Sequence, residues 1–303
     1  GITGLPAKIT PIAFTQIGDD IDGRAAGDYS GRSVSLSSDG SVIAIGADYS
    51  NSDRGYARVY QNNSGTWNQI GSDIDGEAAG DSFGRSVSLS SNGSIVAIGA
   101  PHNDGNGSSS GHVRIYQNIN GNWTQIGSDI DGEASGDYSG NSISLSADGS
   151  IVAIGASHND GNGSNSGHVR IYQNINGNWN QIGSDINGEA VSDESGFVNS
   201  LSLSSDGSVV AIGALSNDGN GPSSGHVRIY KNFNNNWIRV GSDIDGEAAF
   251  DSSGKAVSLS ADGSVVAIGA YQNDGNGNSS GHVRIFKNIN NNWTQIGSDI
   301  DGE

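Results

Sequence analysis

"SGNSISLSADGSIVAIGA", residues 139–156, contains two strands and the turn that joins them. Its first half alternates small or polar residues with apolar ones, the two-residue period of a half-buried strand. Asp148-Gly149 supplies the positive φ that a tight hairpin turn requires. Ile151–Ala156 is almost continuously apolar, as expected of a strand covered on both faces. Upstream, "WTQIGSDI" (123–130) reads as a short strand and "DGEASGD" (131–137) as an acidic turn. Downstream, "HNDGNGSNSG" (158–167) is a loop and "HVRIYQN" (168–174) alternates again. Four short strands in about 56 residues, with no helical period, make one blade of a β-propeller.

The unit recurs along the chain. The Gly-Ala pair of "AIGA" falls at Gly46, Gly99, Gly155, Gly213 and Gly269, at spacings of 53, 56, 58 and 56. Trp67, Trp123, Trp179, Trp237 and Trp293 keep the same beat, and Phe14 takes the Trp position one step earlier. Repeats therefore run over 14–66, 67–122, 123–178, 179–236 and 237–292, with a final strand in 293–303 and an extension in 1–13. This predicts one all-β domain, a five-bladed β-propeller of four-stranded blades. The fourth copy carries two extra residues at Phe197-Val198, and the first is three short in its loop. Terminal copies often differ because they cap the array.

The ends leave alternatives open. Five copies of the inner strands accompany six of the Trp-type strand, so one outer strand is spare. Either the five-bladed ring has an extra strand, or the chain is a piece of a longer array whose end faces would be bare. A linear array of small sheets is a further option, though the unit is too long for a simple β-helix coil.

Composition narrows the function. Net charge is −19, from 33 acids against 14 bases, which argues against nucleic acid and anionic membrane surfaces as partners. Cysteine is absent, so disulfides and thiolate metal sites do not arise. No apolar run approaches the length of a membrane span. Methionine is also missing, position 1 included. This leads to the expectation of a removed secretion signal or a fragment.

"FGRSVSLSSNGSIVAIGAP" (83–101) followed by "SGHVRIY" (110–116) resembles the FG-GAP repeat, the blade unit of integrin alpha-chain propellers and of many bacterial surface proteins. Phe83-Gly84 matches FG and Gly99-Ala100-Pro101 matches GAP; the other copies are looser. The resemblance extends over nearly the whole chain after residue 13 and implies an extracellular or cell-surface location. Blades of this family often carry a D-x-D-x-D-G calcium loop between their first two strands. Here that place holds "SSDGS" or "SADGS", with one acid at most. Ca²⁺ takes six to eight oxygens, so that site is not carried over.

Other residues repeat with chemistry attached. The acidic turns collect Asp73, Asp75, Glu77 and Asp81; Asp129, Asp131, Glu133 and Asp137; and Asp243, Asp245, Glu247 and Asp251. Closely spaced carboxylates attract Ca²⁺; the alternative is turn capping and pairing with strand arginines. Arg58, Arg114, Arg170, Arg228 and Arg284 each lie mid-strand, and a buried Arg needs an acid. They are expected to form structural inter-blade pairs, with Asp81 or Asp137 as the nearest suggestion. His112, His168, His226 and His282 occur one per blade, which does not suit zinc. The five tryptophans either pack on the sheet or stack on sugars. The "NDGNG" loops have one carboxylate each and the residues that tight turns need.

No nucleophile elbow, catalytic cysteine or unrepeated acid–base pair breaks the pattern, so an enzyme is not expected. The expected function is an extracellular structural or adhesive module, assembling through a spare edge strand. A multivalent lectin and a calcium-stabilised surface scaffold are the alternatives. Partners are then further copies of the chain, surface proteins or glycans.

Overall fold

The computed structural model describes residues 15–303. Phe14 and the extension 1–13 lie outside the described residues. Five antiparallel sheets follow one another along the chain and form blades I to V. Blade II shows the plan: Ser86–Leu89, Ile95–Ala100, His112–Ile119 and Asn122–Gln125 pair in that order. A fifth, two-residue strand, Ile130–Asp131, pairs with the start of the third. Each blade thus has the four expected strands plus this short addition. The Trp strand ends a blade rather than opening one. In blade V the outer strand is Asn292–Gln295, so it comes from the C-terminal side.

The first copy's shortened loop is replaced by one helical turn, Ser50–Asp53. The "SVSLS"-type strands of all five blades flank a common axis, where they line a cavity of about 400 Å³. The apolar core lies between blades and recurs with them. Val42, Val59, Val87, Leu89 and Val96 join blades I and II, and equivalent sets join II to III, III to IV and IV to V.

The polar half of the alternating strand has its own task. Ser35 Oγ accepts from Leu89 N in the next blade at 2.9 Å, and Ser88, Ser144 and Ser202 do the same for Leu145, Leu203 and Leu259 at 3.0 Å. Each hydroxyl satisfies an edge N–H that no neighbouring strand reaches. Turns are linked as well: Ser38 N donates to Ser91 O, Ser91 N to Ala147 O, Ala147 N to Ser205 O and Ser205 N to Ala261 O, each at 2.8 Å.

The seam between blade V and blade I differs from these four interfaces. Leu36 is 57% exposed, whereas Leu89, Leu145 and Leu203 are 7–8% exposed. Ile300 is 57% exposed against 5–6% for Ile74, Ile130, Ile186 and Ile244. Among the described residues no apolar cluster joins blade V to blade I. Five blades surround the axis, and the last interface stays open. Trp67 Nε1 donates to Ile17 O at 2.9 Å, as Trp123 does to Ile70 and Trp293 to Val240 in the blades before them. Residues 15–18 therefore take the place on blade I that a preceding blade's fourth strand would occupy.

Candidate functional site

The third strand of blades II to V carries His, Arg and an aromatic residue on one face, two residues apart, and blade I has Tyr56 in place of the His. In blade II these are His112, Arg114 and Tyr116. Asp129, fifteen residues on, is brought back over Arg114 by the turn after the Trp strand. Arg114 Nε and Nη2 donate to its two oxygens at 3.0 and 2.9 Å, and Nη2 also pairs with Glu77 of blade I. Arg228 repeats this arrangement with Asp243 and with Glu189 of blade III. Arg58 pairs with Asp73, which also receives Arg24, the residue standing where later copies have Glu.

Arg170 and Arg284 turn differently. Each donates from Nη2 to the carbonyl of a preceding blade, Asp131 at 2.7 Å and Asp245 at 2.6 Å. Their nearest carboxylates are Glu133 at 3.6 Å and Glu247 at 3.7 Å, again in the preceding blade. The arginines from Arg114 onward thus bridge adjacent blades. Their inter-blade partner is the Glu of the acidic turn, not Asp81 or Asp137. Asp81 caps Ala78 N at 3.1 Å and receives Asn103 Nδ2 at 3.0 Å; Asp137 and Asp251 repeat both bonds.

Electrostatics follow from this packing. Burial raises the Asp129 pKa, but hydrogen bonds from Arg114 and Gln125 outweigh it and hold the carboxyl below its usual range. The Asp73 hydrogen bond raises the Arg58 pKa further. Burial pushes His168 down to about 4, helped by the Arg170 charge. His112 and His226 are lowered chiefly by burial too. His168 has neither ring nitrogen hydrogen-bonded, although Nδ1 lies 3.8 Å from Glu133.

The four carboxylates of one acidic turn are not gathered around a point. Asp73 faces Arg58, Asp75 faces Arg24, Glu77 reaches Arg114 and Asp81 caps its own turn. The groups that do converge cross two blades: Glu77, His112 and Asp129; Glu133, His168 and Asp185; Glu189, His226 and Asp243; Glu247, His282 and Asp299. Asp185, Glu189 and Asp299 were not among the candidates drawn from spacing, and the histidines were considered there only for zinc. The repeat period, which puts Asp185 and Asp299 at the place of Asp129 and Glu189 at that of Glu77, could have flagged these three carboxylates. Each group has two carboxylates, one nitrogen and an adjacent guanidinium. That donor set does not fit Ca²⁺, which needs six to eight oxygens, and the arginine already supplies the counter-charge.

The "NDGNG" loop is tied to itself. Asn103 Oδ1 accepts from Gly105 N at 2.8 Å, Asp104 Oδ1 from Ser109 N at 2.8 Å, and Asn106 Nδ2 donates to Gly132 O at 2.9 Å. Its polar side chains stabilise the turn and dock it on the acidic turn beside it. The tryptophans are half-buried and border like clefts. Trp179 with Asp129, Asp131, Tyr172 and Asn178 edges one of about 270 Å³; Trp237 and Trp67 edge others of about 310 and 250 Å³.

The FG-GAP repeat matches residues 73–116 and 129–172. No curated protein sequence matches the chain. Solved propellers resemble it in fold. TolB from Acinetobacter baumannii is 17% identical with a TM-score of 0.51, over 89% of this chain and 54% of its own. The chain thus spans about half the length of that protein. A putative 6-phosphogluconolactonase from Bacteroides uniformis is 10% identical (TM-score 0.55; 90% of this chain, 86% of that one). Hydrazine synthase from Kuenenia stuttgartiensis is 12% identical (TM-score 0.56; 94% and 69%). Two of these names are those of enzymes, but at such identities the likeness shows the fold alone.

Proposed function

We propose that this β-propeller with FG-GAP repeats is a non-enzymatic, extracellular structural and adhesive module that associates with further copies of itself through its end blades. The open seam carries this reading. Blade V presents the same outward face that blades I to IV bury, and blade I presents the inward face that blades II to V bury. Repetition makes the two bare faces complementary. Such a head-to-tail contact is heterologous, so it propagates unless the rotation closes it. Bare apolar faces of this kind mark interaction surfaces. Residues 15–18 and the strand Asn292–Gln295 are equivalent elements, so one must yield when blade V meets blade I. Sedimentation across a concentration series, with electron microscopy, tests this. Association that Leu36→Asp or Ile300→Asp abolishes is expected. A chain that stays monomeric at high concentration would end the proposal.

The Trp clefts favour a second reading, a multivalent lectin. An aromatic face beside Asp and Asn side chains suits a sugar ring and its hydroxyls, and repetition turns weak sites into avidity. A glycan array that shows no binding would remove it.

A further inference from the structure

In a chain of near-identical blades, the positions that differ are informative. The residue after the glycine that starts each innermost strand is Arg32, Arg85, Asn141 and Lys255 in blades I, II, III and V. In blade IV the two-residue insertion puts Phe197, Val198 and Asn199 there. Arg32 and Asn199 line the axial cavity directly, and Lys255 lines the cleft over blade V that adjoins it at Ala256. Three cations, Arg32, Arg85 and Lys255, thus stand at one place in the repeat.

Their pairing is incomplete. Arg85 Nη1 lies 3.2 Å and Arg32 Nε 3.6 Å from the same Asp48 oxygen. Asp48 is buried, and its other oxygen has no partner. Lys255 Nζ stands 4.0 Å over the Phe197 ring, a contact with an aromatic face and not with a carboxylate. Burial, then the positive charges of Arg85 and Arg32, lower the Lys255 pKa, while Glu194 opposes them. Three cations therefore face two acids, a local excess of positive charge in a chain of net charge −19. Arg32 and Arg85 share one carboxylate, whereas Arg114 and Arg228 each have two.

Aromatic residues follow or precede these positions in three blades. Tyr29 and Tyr49 pack edge to face at 4.7 Å, and Tyr138 does so with His102 at 5.0 Å and His158 at 4.8 Å. Tyr29, Tyr49 and Tyr138 lie beside Arg32, Asp48 and Asn141 along the chain. The cavity volume of about 400 Å³ is that of a small-ligand site.

We infer that this end of the axial cavity binds an oxyanion, presented as the acidic group of a saccharide unit. Arg32 and Lys255 take the carboxylate or sulfate, and the aromatic residues receive the ring. Asp48 holds Arg85 in place as a positioning residue. Arg32 and Lys255 belong to the first and last blades, so the two arms of the site flank the open seam. The inference does not rest on the Trp clefts, and because self-association fills the seam, the site belongs to the single chain.

Calorimetric titration in chloride buffer, at a protein concentration where the chain sediments as a monomer, tests it. Glucuronate and inorganic sulfate are the probes, with uncharged glucose as the control. Saturable glucuronate binding, weaker sulfate binding at the same residues and none for glucose are expected. The double variant Arg32→Gln/Lys255→Gln should weaken glucuronate binding at least tenfold. Lys287→Gln, at an exposed position of the third strand of blade V, should leave it unchanged. No saturable binding of either anion, or affinity that survives the double variant, would overturn the inference. An unchanged melting curve for the double variant separates loss of the site from loss of the fold.

Discussion

Gly99 of blade II lies so close to Gly140 of blade III that a Cβ on Gly99 would stand 2.1 Å from the Gly140 carbonyl oxygen. Gly46, Gly155 and Gly213 meet the next blade in the same way, at 2.0–2.3 Å. Gly269 of blade V meets only its own Ala256, at 3.6 Å. The glycine of the repeated "AIGA" is thus the contact point between blades, and the last copy lacks its neighbour. Gly99→Ala should destabilise by ~3 kcal/mol or more, because a backbone atom must move. Gly269→Ala should be within ~1 kcal/mol of neutral. Urea unfolding of the two variants makes the comparison.

The serine hydroxyls give a matched pair of the same kind. Ser144→Ala strips the Leu203 N–H of its acceptor and should cost ~1–2 kcal/mol. Ser258, the equivalent residue of blade V, is exposed, so Ser258→Ala should cost nothing measurable. Equal losses in thermal unfolding would show that the open seam is filled in solution.

The inter-blade charge network predicts unequal partners. Asp129 holds Arg114 through two bonds, and the Arg114 side chain is largely buried. Asp129→Asn should cost ~2–3 kcal/mol by leaving that cation poorly matched. Glu77 is about half exposed, so Glu77→Gln should cost under ~1 kcal/mol. A double-mutant cycle by chemical denaturation gives both values.

Acid should weaken the fold before the carboxylates titrate. The folded His168 pKa is about 4 against an ordinary 6.5. Between these values the unfolded chain binds a proton that the folded chain refuses. Stability is therefore full above pH 6.5 and falls as pH drops towards 4, by up to about 3 kcal/mol for this group. Denaturation at pH 4.5 and 7 should show the loss. His168→Gln should reduce the pH dependence by roughly one proton; an unchanged slope would place the effect elsewhere.

Metal removal should leave the fold intact. The converging Glu, His and Asp groups are compensated by arginine, so chelator should not shift the thermal transition. A lower Tm in chelator, restored by calcium, would revive the calcium scaffold.

The blade was legible in residues 139–156 because its signals are local. Alternation, an Asp-Gly turn and a continuous apolar strand each act over a few residues, and their repetition multiplied the evidence. The role of Asp104 as a turn residue could be read in the same way, from the chemistry of one loop. The partner of Arg114 could not. In a repeat, Glu77, Asp81 and Asp129 all recur with the same period, so spacing gives each an equal claim. Only the stacking of one blade on the next decides that Glu77 reaches across and that Asp81 turns inward to Asn103. The seam was equally hidden. Leu36 and Leu89 occupy identical words, and nothing in the words says that one is bare and the other buried. That difference arises from position in the array, because burial depends on what stands on the other side of the interface.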